Sequence, residues 1–166
     1  MNVRPHPSGA GALTHQYLTF VLGGEPFAIG ILAVKEIIEY TSVTEVPLMP
    51  AFLRGVINLR GSVVPVIDLS VRFGRPAGAI SRRTCIVIIE TQLSGERRDI
   101  GVIVDSVNAV LEFQAADIAP PPAFGANIRA DFIQGMAKVD GRFVILLDVD
   151  HVLALHELDQ AVEACA

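Results

Sequence analysis

The sequence predicts an all-β protein made of two small β-barrels that arose by tandem duplication and pack around a shared core. Three observations support this fold class. The chain aligns with itself, its apolar residues lie in short runs separated by turn residues, and its 166 residues are enough to bury a sizeable core. Short strands favour barrels, because closure leaves few strand edges exposed.

The repeat is clearest when residues 52–69, FLRGVINLRGSVVPVIDL, are laid over residues 132–149, FIQGMAKVDGRFVILLDV. At this offset of 80 residues one phenylalanine, two glycines and one aspartate coincide: Phe52 with Phe132, Gly55 with Gly135, Gly61 with Gly141 and Asp68 with Asp148. Upstream segments align at an offset of 73 residues, where Val34 matches Val107 and Ile37 matches Val110. A unit of about 70 residues is therefore present twice.

Each copy predicts a series of short strands. The runs are residues 17–22, 26–30, 55–60 and 63–69 in the first copy, then 84–90, 99–105, 135–140 and 142–149 in the second. Gly23-Gly24, Arg60-Gly61 and Asp140-Gly141 predict tight turns, because glycine adopts positive φ at low cost. We expect the first barrel at roughly residues 15–80 and the second at roughly 81–150.

Helical patterns are confined to residues 31–38, a turn near residues 70–74, and residues 151–164. The last pattern follows Asp150, a residue type that caps helix N-termini, so we expect a terminal helix there. Residues 1–14 are rich in Pro, Gly and Ser and predict a disordered lead-in.

The composition indicates a soluble, cytoplasmic protein without direct membrane insertion. Its longest uninterrupted apolar runs are five residues, at 85–89 and 143–147, whereas a membrane span needs about 20. The N-terminus lacks the continuous apolar stretch of a signal peptide. Cys85 and Cys165 are not spaced as a metal-binding or disulfide pair, and we expect neither a metal nor a cofactor.

One motif suggests an enzyme. Residues 144–152, VILLDVDHV, fit the signature of haloacid-dehalogenase-type phosphatases, with Asp148 as nucleophile and Asp150 as acid and base. In those enzymes a large α/β domain follows the signature, whereas 14 residues follow Val152 here. A strand that ends in an aspartate before a helix explains the same pattern, so the phosphatase is kept as an alternative.

Arginines are concentrated between Arg54 and Arg83, where six of them accompany a single acid, Asp68, in a chain of net charge −5. A nucleic-acid-binding barrel is therefore a second alternative. Single-strand binding also requires aromatic platforms, and only Phe73 is available in this segment, so we expect no nucleic-acid partner. The remaining arginines predict a solvated linker between the copies: Arg72, Arg75, Arg82 and Arg83.

The two copies differ at the predicted hairpins. Asn58 and Arg60 align with Lys138 and Asp140, whereas the glycines and apolar positions match. Residues needed only by the fold should be alike in both copies, so the unmatched residues are better candidates for function. We expect Arg60 to be a solvent-accessible contact rather than a structural ion-pair partner.

Five segments together resemble the CheW family of bacterial chemotaxis coupling proteins, over roughly residues 15–156: VKEIIEY, FLRGVINLRGSVVPVIDL, GVIVDSVNAVL, IAPPP and FIQGMAKVDGRFVILLDVDHVL. The resemblance implies a single CheW-like domain of two SH3-like five-stranded barrels. It also implies a non-enzymatic scaffold that joins the cytoplasmic tip of methyl-accepting receptors to the regulatory domain of the histidine kinase CheA.

By position, the resemblance implies that the receptor is bound by Val34, Glu36, Gly55, Asn58 and Arg60. Glycine at position 55 would let a receptor helix approach the backbone closely. The family also assembles into rings, for which Phe124 is the expected apolar anchor of the kinase or ring interface. We expect a protein that is monomeric alone and is recruited to membrane receptor arrays through its partners.

Overall fold

The computed structural model describes residues 14–93, 96–120 and 132–153. The strands within these ranges are β1 (Thr14–Leu22), β2 (Glu25–Gly30), β3 (Val34–Glu39), β4 (Leu53–Leu59), β5 (Ser62–Asp68), β6 (Cys85–Leu93), β7 (Glu96–Val104), β8 (Ser106–Gln114), β9 (Ile118–Ala119), β10 (Ile133–Val139) and β11 (Arg142–Leu147). Two single-turn helices follow β5 and β11, namely α1 (Leu69–Arg72) and α2 (Val149–Val152). The predicted all-β fold class is confirmed, and none of the described helices has the length and apolar character to cross a membrane.

The strands form two sheets, and each sheet takes strands from both copies of the repeat. The first sheet has the order β8-β1-β2-β11-β10-β9, and the second has the order β3-β6-β7-β5-β4. Parallel pairs join the copies, with Phe27 of β2 opposite Ile145 of β11 and Val66 of β5 opposite Gly101 of β7. The predicted division near residue 80 therefore does not separate the two sheets, because the β1-β2 and β6-β7 hairpins are exchanged between the copies.

The predicted duplication is visible in the backbone of the two equivalent hairpins. The β4-β5 pair shifts register between Leu53 and Gly55, and the β10-β11 pair shifts register between Ile133 and Gly135. Both hairpins close through two residues with positive φ. The angles are 50° and 87° at Arg60 and Gly61, and 52° and 80° at Asp140 and Gly141. Positive φ at both central positions belongs to the turn type that matches the twist of a two-residue hairpin.

The main core lies between the two sheets and is shared by both. Four buried aromatic rings form a chain through it, with centroid separations of 6.2 Å for Phe20–Phe27, 5.7 Å for Phe27–Phe73 and 5.9 Å for Phe73–Phe132. Each buried ring contributes about 1.5–3 kcal/mol relative to an exposed one. Since Phe73 follows α1 and Phe132 precedes β10, this chain of rings ties the two copies together.

The helix predicted over residues 31–38 is wrong. Ile31–Ala33 is a 3₁₀ turn, and β3 follows it with alternating half-buried and exposed residues. The turn predicted near residues 70–74 corresponds to α1, which Asp68 caps by accepting a hydrogen bond from the backbone N–H of Ser70 at 3.0 Å. Helix α2 begins at Val149, so Asp150 lies in its first turn and not at its N-cap. Residues 154–166 of the predicted terminal helix lie outside the described residues.

Arg72 is buried, so the predicted solvated linker is wrong at this position. Its side chain lies in the core with 9% of the residue exposed, and its Nε donates a hydrogen bond to the carbonyl oxygen of Val152 at 2.8 Å. The guanidinium carbon lies 5.4 Å from the ring centroid of Phe52 and 4.6 Å from that of Phe132. Arg72 thus contacts the same phenylalanine in both copies of the repeat.

Candidate functional site

The β4-β5 hairpin projects Arg60 into solvent. Its turn consists of Arg60 and Gly61 alone, and Asn58 closes the turn by accepting a hydrogen bond from the Gly61 backbone N–H at 3.0 Å. With its backbone in the positive-φ region, the Arg60 side chain leaves the sheet and is 70% exposed. The predicted solvent exposure of Arg60 is confirmed.

Arg60 has an ion-pair partner, and the expectation that it would not have one is wrong. Its guanidinium donates two hydrogen bonds to the carboxylate of Glu36 on β3, one of them from Nη1 to Oε1 at 3.3 Å. These hydrogen bonds lower the pKa of Glu36, and in return raise the pKa of Arg60. Two residues that were predicted separately as receptor contacts are therefore one bidentate pair.

A second ion pair lies beside the first. Lys35, the neighbour of Glu36 on β3, places its Nζ 3.1 Å from Oδ2 and 3.3 Å from Oδ1 of Asp99 on β7. After the larger effects of Glu36, the charge of Asp99 also raises the pKa of Arg60, so the two pairs act on each other. We call these four residues, Lys35, Glu36, Arg60 and Asp99, the charged surface. Sequence reasoning missed Lys35 and Asp99, because they are 64 residues apart and no motif links them.

Apolar side chains border the charged surface on both strands that supply it. On β3, Val34 is partly buried against the central core and Ile37 is 42% exposed. On β5, Val63 is 53% exposed and lies opposite the exposed Asn58 in the hairpin. The surface therefore offers apolar contact area beside charges that can set the orientation of a partner.

The structure gives Gly55 a role inside the chain. Gly55 is buried, its φ is 148°, and a Cβ there would meet the backbone of Thr44 and lie 2.8 Å from Cγ1 of Val43. The space that a partner helix was expected to use is filled by residues 43–44. These residues pair with β4 through hydrogen bonds of 2.8 Å and 2.9 Å between Thr44 and Val56. Gly55 thus shapes the strand that carries Asn58 and Arg60.

The profile of the CheW-like domain family matches residues 16–157. The chain belongs to the CheW family. It is 35% identical over 143 residues to the chemotaxis protein CheW of Klebsiella aerogenes, covering 86% of this chain and 84% of that protein. It is 32% identical over 160 residues to the chemotaxis protein CheW of Rhizobium meliloti, covering 96% and 99%. The crystal structure of the scaffolding protein TtCheW from Thermoanaerobacter tengcongensis matches with a TM-score of 0.78 at 31% identity, covering 92% of this chain and 96% of that one.

Membership of the CheW family makes the chain a non-enzymatic scaffold of chemotaxis signalling. The resemblance found in the sequence is confirmed. Phe124, the residue expected at the kinase or ring interface, lies outside the described residues, so its role stays a prediction.

The phosphatase alternative is not supported. Asp148 and Asp150 line an open groove of about 680 Å³, and the described residues that line it include no lysine or arginine. A phosphoryl group requires positive charge to stabilise its transfer. Asp150 instead accepts a hydrogen bond from the hydroxyl of Thr91 at 3.2 Å, and Asp148 precedes α2 just as Asp68 precedes α1. These aspartates lie where strands end and helices begin.

The nucleic-acid alternative is not supported either, because most arginines of residues 54–83 are engaged within the chain. Arg54 pairs with Asp68 at 3.0 Å and Arg75 pairs with Glu25 at 2.6 Å. Arg75 is therefore not the freely solvated side chain that was predicted. Exposure as predicted is found at the end of the linker, at Arg82 and Arg83.

Proposed function

We propose that this protein couples methyl-accepting chemotaxis receptors to the histidine kinase CheA, and that the charged surface docks the cytoplasmic tip of the receptor. The observation that carries the proposal is the Arg60–Glu36 pair, held in solvent by a two-residue turn and bordered by exposed apolar side chains. Receptor tips are helical hairpins, so the proposed contact is a helix laid against a partly apolar surface.

Each predicted receptor-binding residue has a place in this proposal. Val34 supplies apolar contact, Asn58 holds the turn, and Glu36 and Arg60 supply hydrogen-bonding charges. Gly55 acts indirectly, because it positions β4 against residues 43–44. Charged groups at such a surface fix register and exclude wrong partners more than they add affinity.

The kinase contact is proposed to lie elsewhere on the molecule. We assign it to the region of Phe124, with the regulatory domain of CheA as partner and with rings as the higher assembly. The protein would be a monomer in the cytoplasm that reaches the membrane receptor arrays through its two partners.

A reconstituted coupling assay tests the proposal. Purified protein is mixed with a receptor cytoplasmic fragment and CheA, and receptor-dependent autophosphorylation of CheA is measured with and without it. We expect stimulation that depends on the protein and is reduced by Arg60→Ala. Arg82→Ala is the matched control, since it removes an exposed arginine outside the charged surface. Absence of stimulation, with no binding to either partner, would contradict the proposed function.

A further inference from the structure

The charged surface has no net charge, and this restricts the kind of partner that fits it. Its two cations and two anions are joined as Lys35–Asp99 and Arg60–Glu36. The two pairs are linked through Asp99, whose charge also acts on Arg60. A partner that carried acids alone would be attracted by the cations and repelled equally by the adjacent anions.

We propose that Lys35 and Asp99 belong to the receptor-docking surface, and that the surface selects a helix on which an acidic and a basic residue lie one turn apart. The inference rests on the proposed function and names the partner chemistry of the same surface. Residues three or four apart lie on one face of a helix, so such a pair can meet Arg60 with its acid and Glu36 or Asp99 with its base. The partner then replaces or extends the hydrogen bonds of the existing pairs and leaves no charge unpaired.

The repeat provides independent support, because the second copy lacks this arrangement. At the offsets that align the copies, three members of the charged surface correspond to Asn108, Ala109 and Asp140, and Asp99 corresponds to Pro26. One charge remains out of four, although the strands and the hairpin turn are retained. The fold therefore does not need these charges, and their presence on one sheet only is consistent with a binding role.

The sign of the effect of each substitution tests the inference. If the partner surface were simply acidic, Lys35→Ala would weaken receptor binding, whereas Asp99→Asn and Glu36→Gln would strengthen it by removing repulsion. A partner with matched charges predicts that all three substitutions weaken binding, by about two- to fivefold at each exposed position.

The experiment is calorimetric titration of a receptor cytoplasmic fragment with the full-length protein at low and high salt. Glu112→Gln is the matched control, because it makes the same change of charge on the other sheet and should leave affinity unchanged. Wild-type affinity should depend only weakly on salt, and single substitutions should make it more salt-dependent. Tighter binding by Asp99→Asn would overturn the inference and leave the proposed function standing. Failure of the wild-type protein to bind any receptor fragment would instead overturn the proposed function.

Discussion

Gly55→Ala separates an internal role of Gly55 from a direct receptor contact. The substitution places a Cβ at a φ of 148°, where side chains are strained, and against the carbonyl group of Thr44. Backbone strain at such a position costs about 1–3 kcal/mol, and crowding of a packed site costs about 1–3 kcal/mol more. We therefore expect a loss of about 2–6 kcal/mol in the free energy of unfolding, which lowers the unfolding midpoint by roughly 5–20 °C.

Gly135→Ala is the matched control for this experiment. The equivalent glycine also lies close to its neighbours, with a Cβ 2.9 Å from the carbonyl oxygen of Ala119, but its φ is outside the strained range. Only the crowding cost of about 1–3 kcal/mol applies. Thermal unfolding and receptor titration should be measured on both variants. An unfolding midpoint of Gly55→Ala within roughly 2 °C of wild type, together with lost receptor binding, would refute this reasoning and return Gly55 to the receptor interface.

Three further substitutions or titrations test the site and the core. Arg60→Ala should weaken receptor binding roughly ten- to a hundredfold, with kinase binding and unfolding midpoint nearly unchanged, because the side chain is 70% exposed; an equal loss of kinase binding would contradict the assignment. Arg72→Met should lower stability to urea by about 2–4 kcal/mol, since it removes the hydrogen bond to Val152 and two cation–ring contacts; an unchanged midpoint would exclude a structural role. Hydrogen bonds from Arg60 hold the pKa of Glu36 below its ordinary value. The pair's contribution to stability is therefore complete above that ordinary value and is lost as pH falls through the lowered pKa. NMR titration of Glu36 should show its pKa rising in Arg60→Ala, and an unmoved pKa would mean that the pair does not form in solution.

The features of the fold that depend on local sequence could be predicted, and those that depend on long-range pairing could not. Gly61 and Gly141 mark both hairpin turns, and the aligned phenylalanines and glycines mark the repeat. The exchange of hairpins between sheets leaves no such signal, because both copies have the same apolar pattern and either pairing would bury it. Residues 31–38 show the limit of periodicity, since pairing with β6 makes most of an apparently helical stretch a strand.

The candidate site shows the same division. The break in repeat symmetry at Arg60 predicted its exposure from the sequence alone. Its partner Glu36 lies 24 residues earlier on another strand, and only the folded chain brings the two together. Arg72 was misjudged because a short segment rich in glycine and arginine usually lies in solvent, whereas here two phenylalanine rings and a carbonyl group surround the side chain.

The hydrogen bond from Arg72 to Val152 bears on the ancestry of the fold. At the offset of 80 residues these two positions are each other's counterparts, and both rings that flank the guanidinium are counterparts as well. In an ancestral homodimer of half-length chains, one residue type would occupy both positions. Two arginines would then place like charges face to face in the core, and two valines would provide no side-chain donor for the carbonyl. An arginine on one side only is open to a fused gene, whose two halves can mutate independently, and from that point the halves are no longer interchangeable.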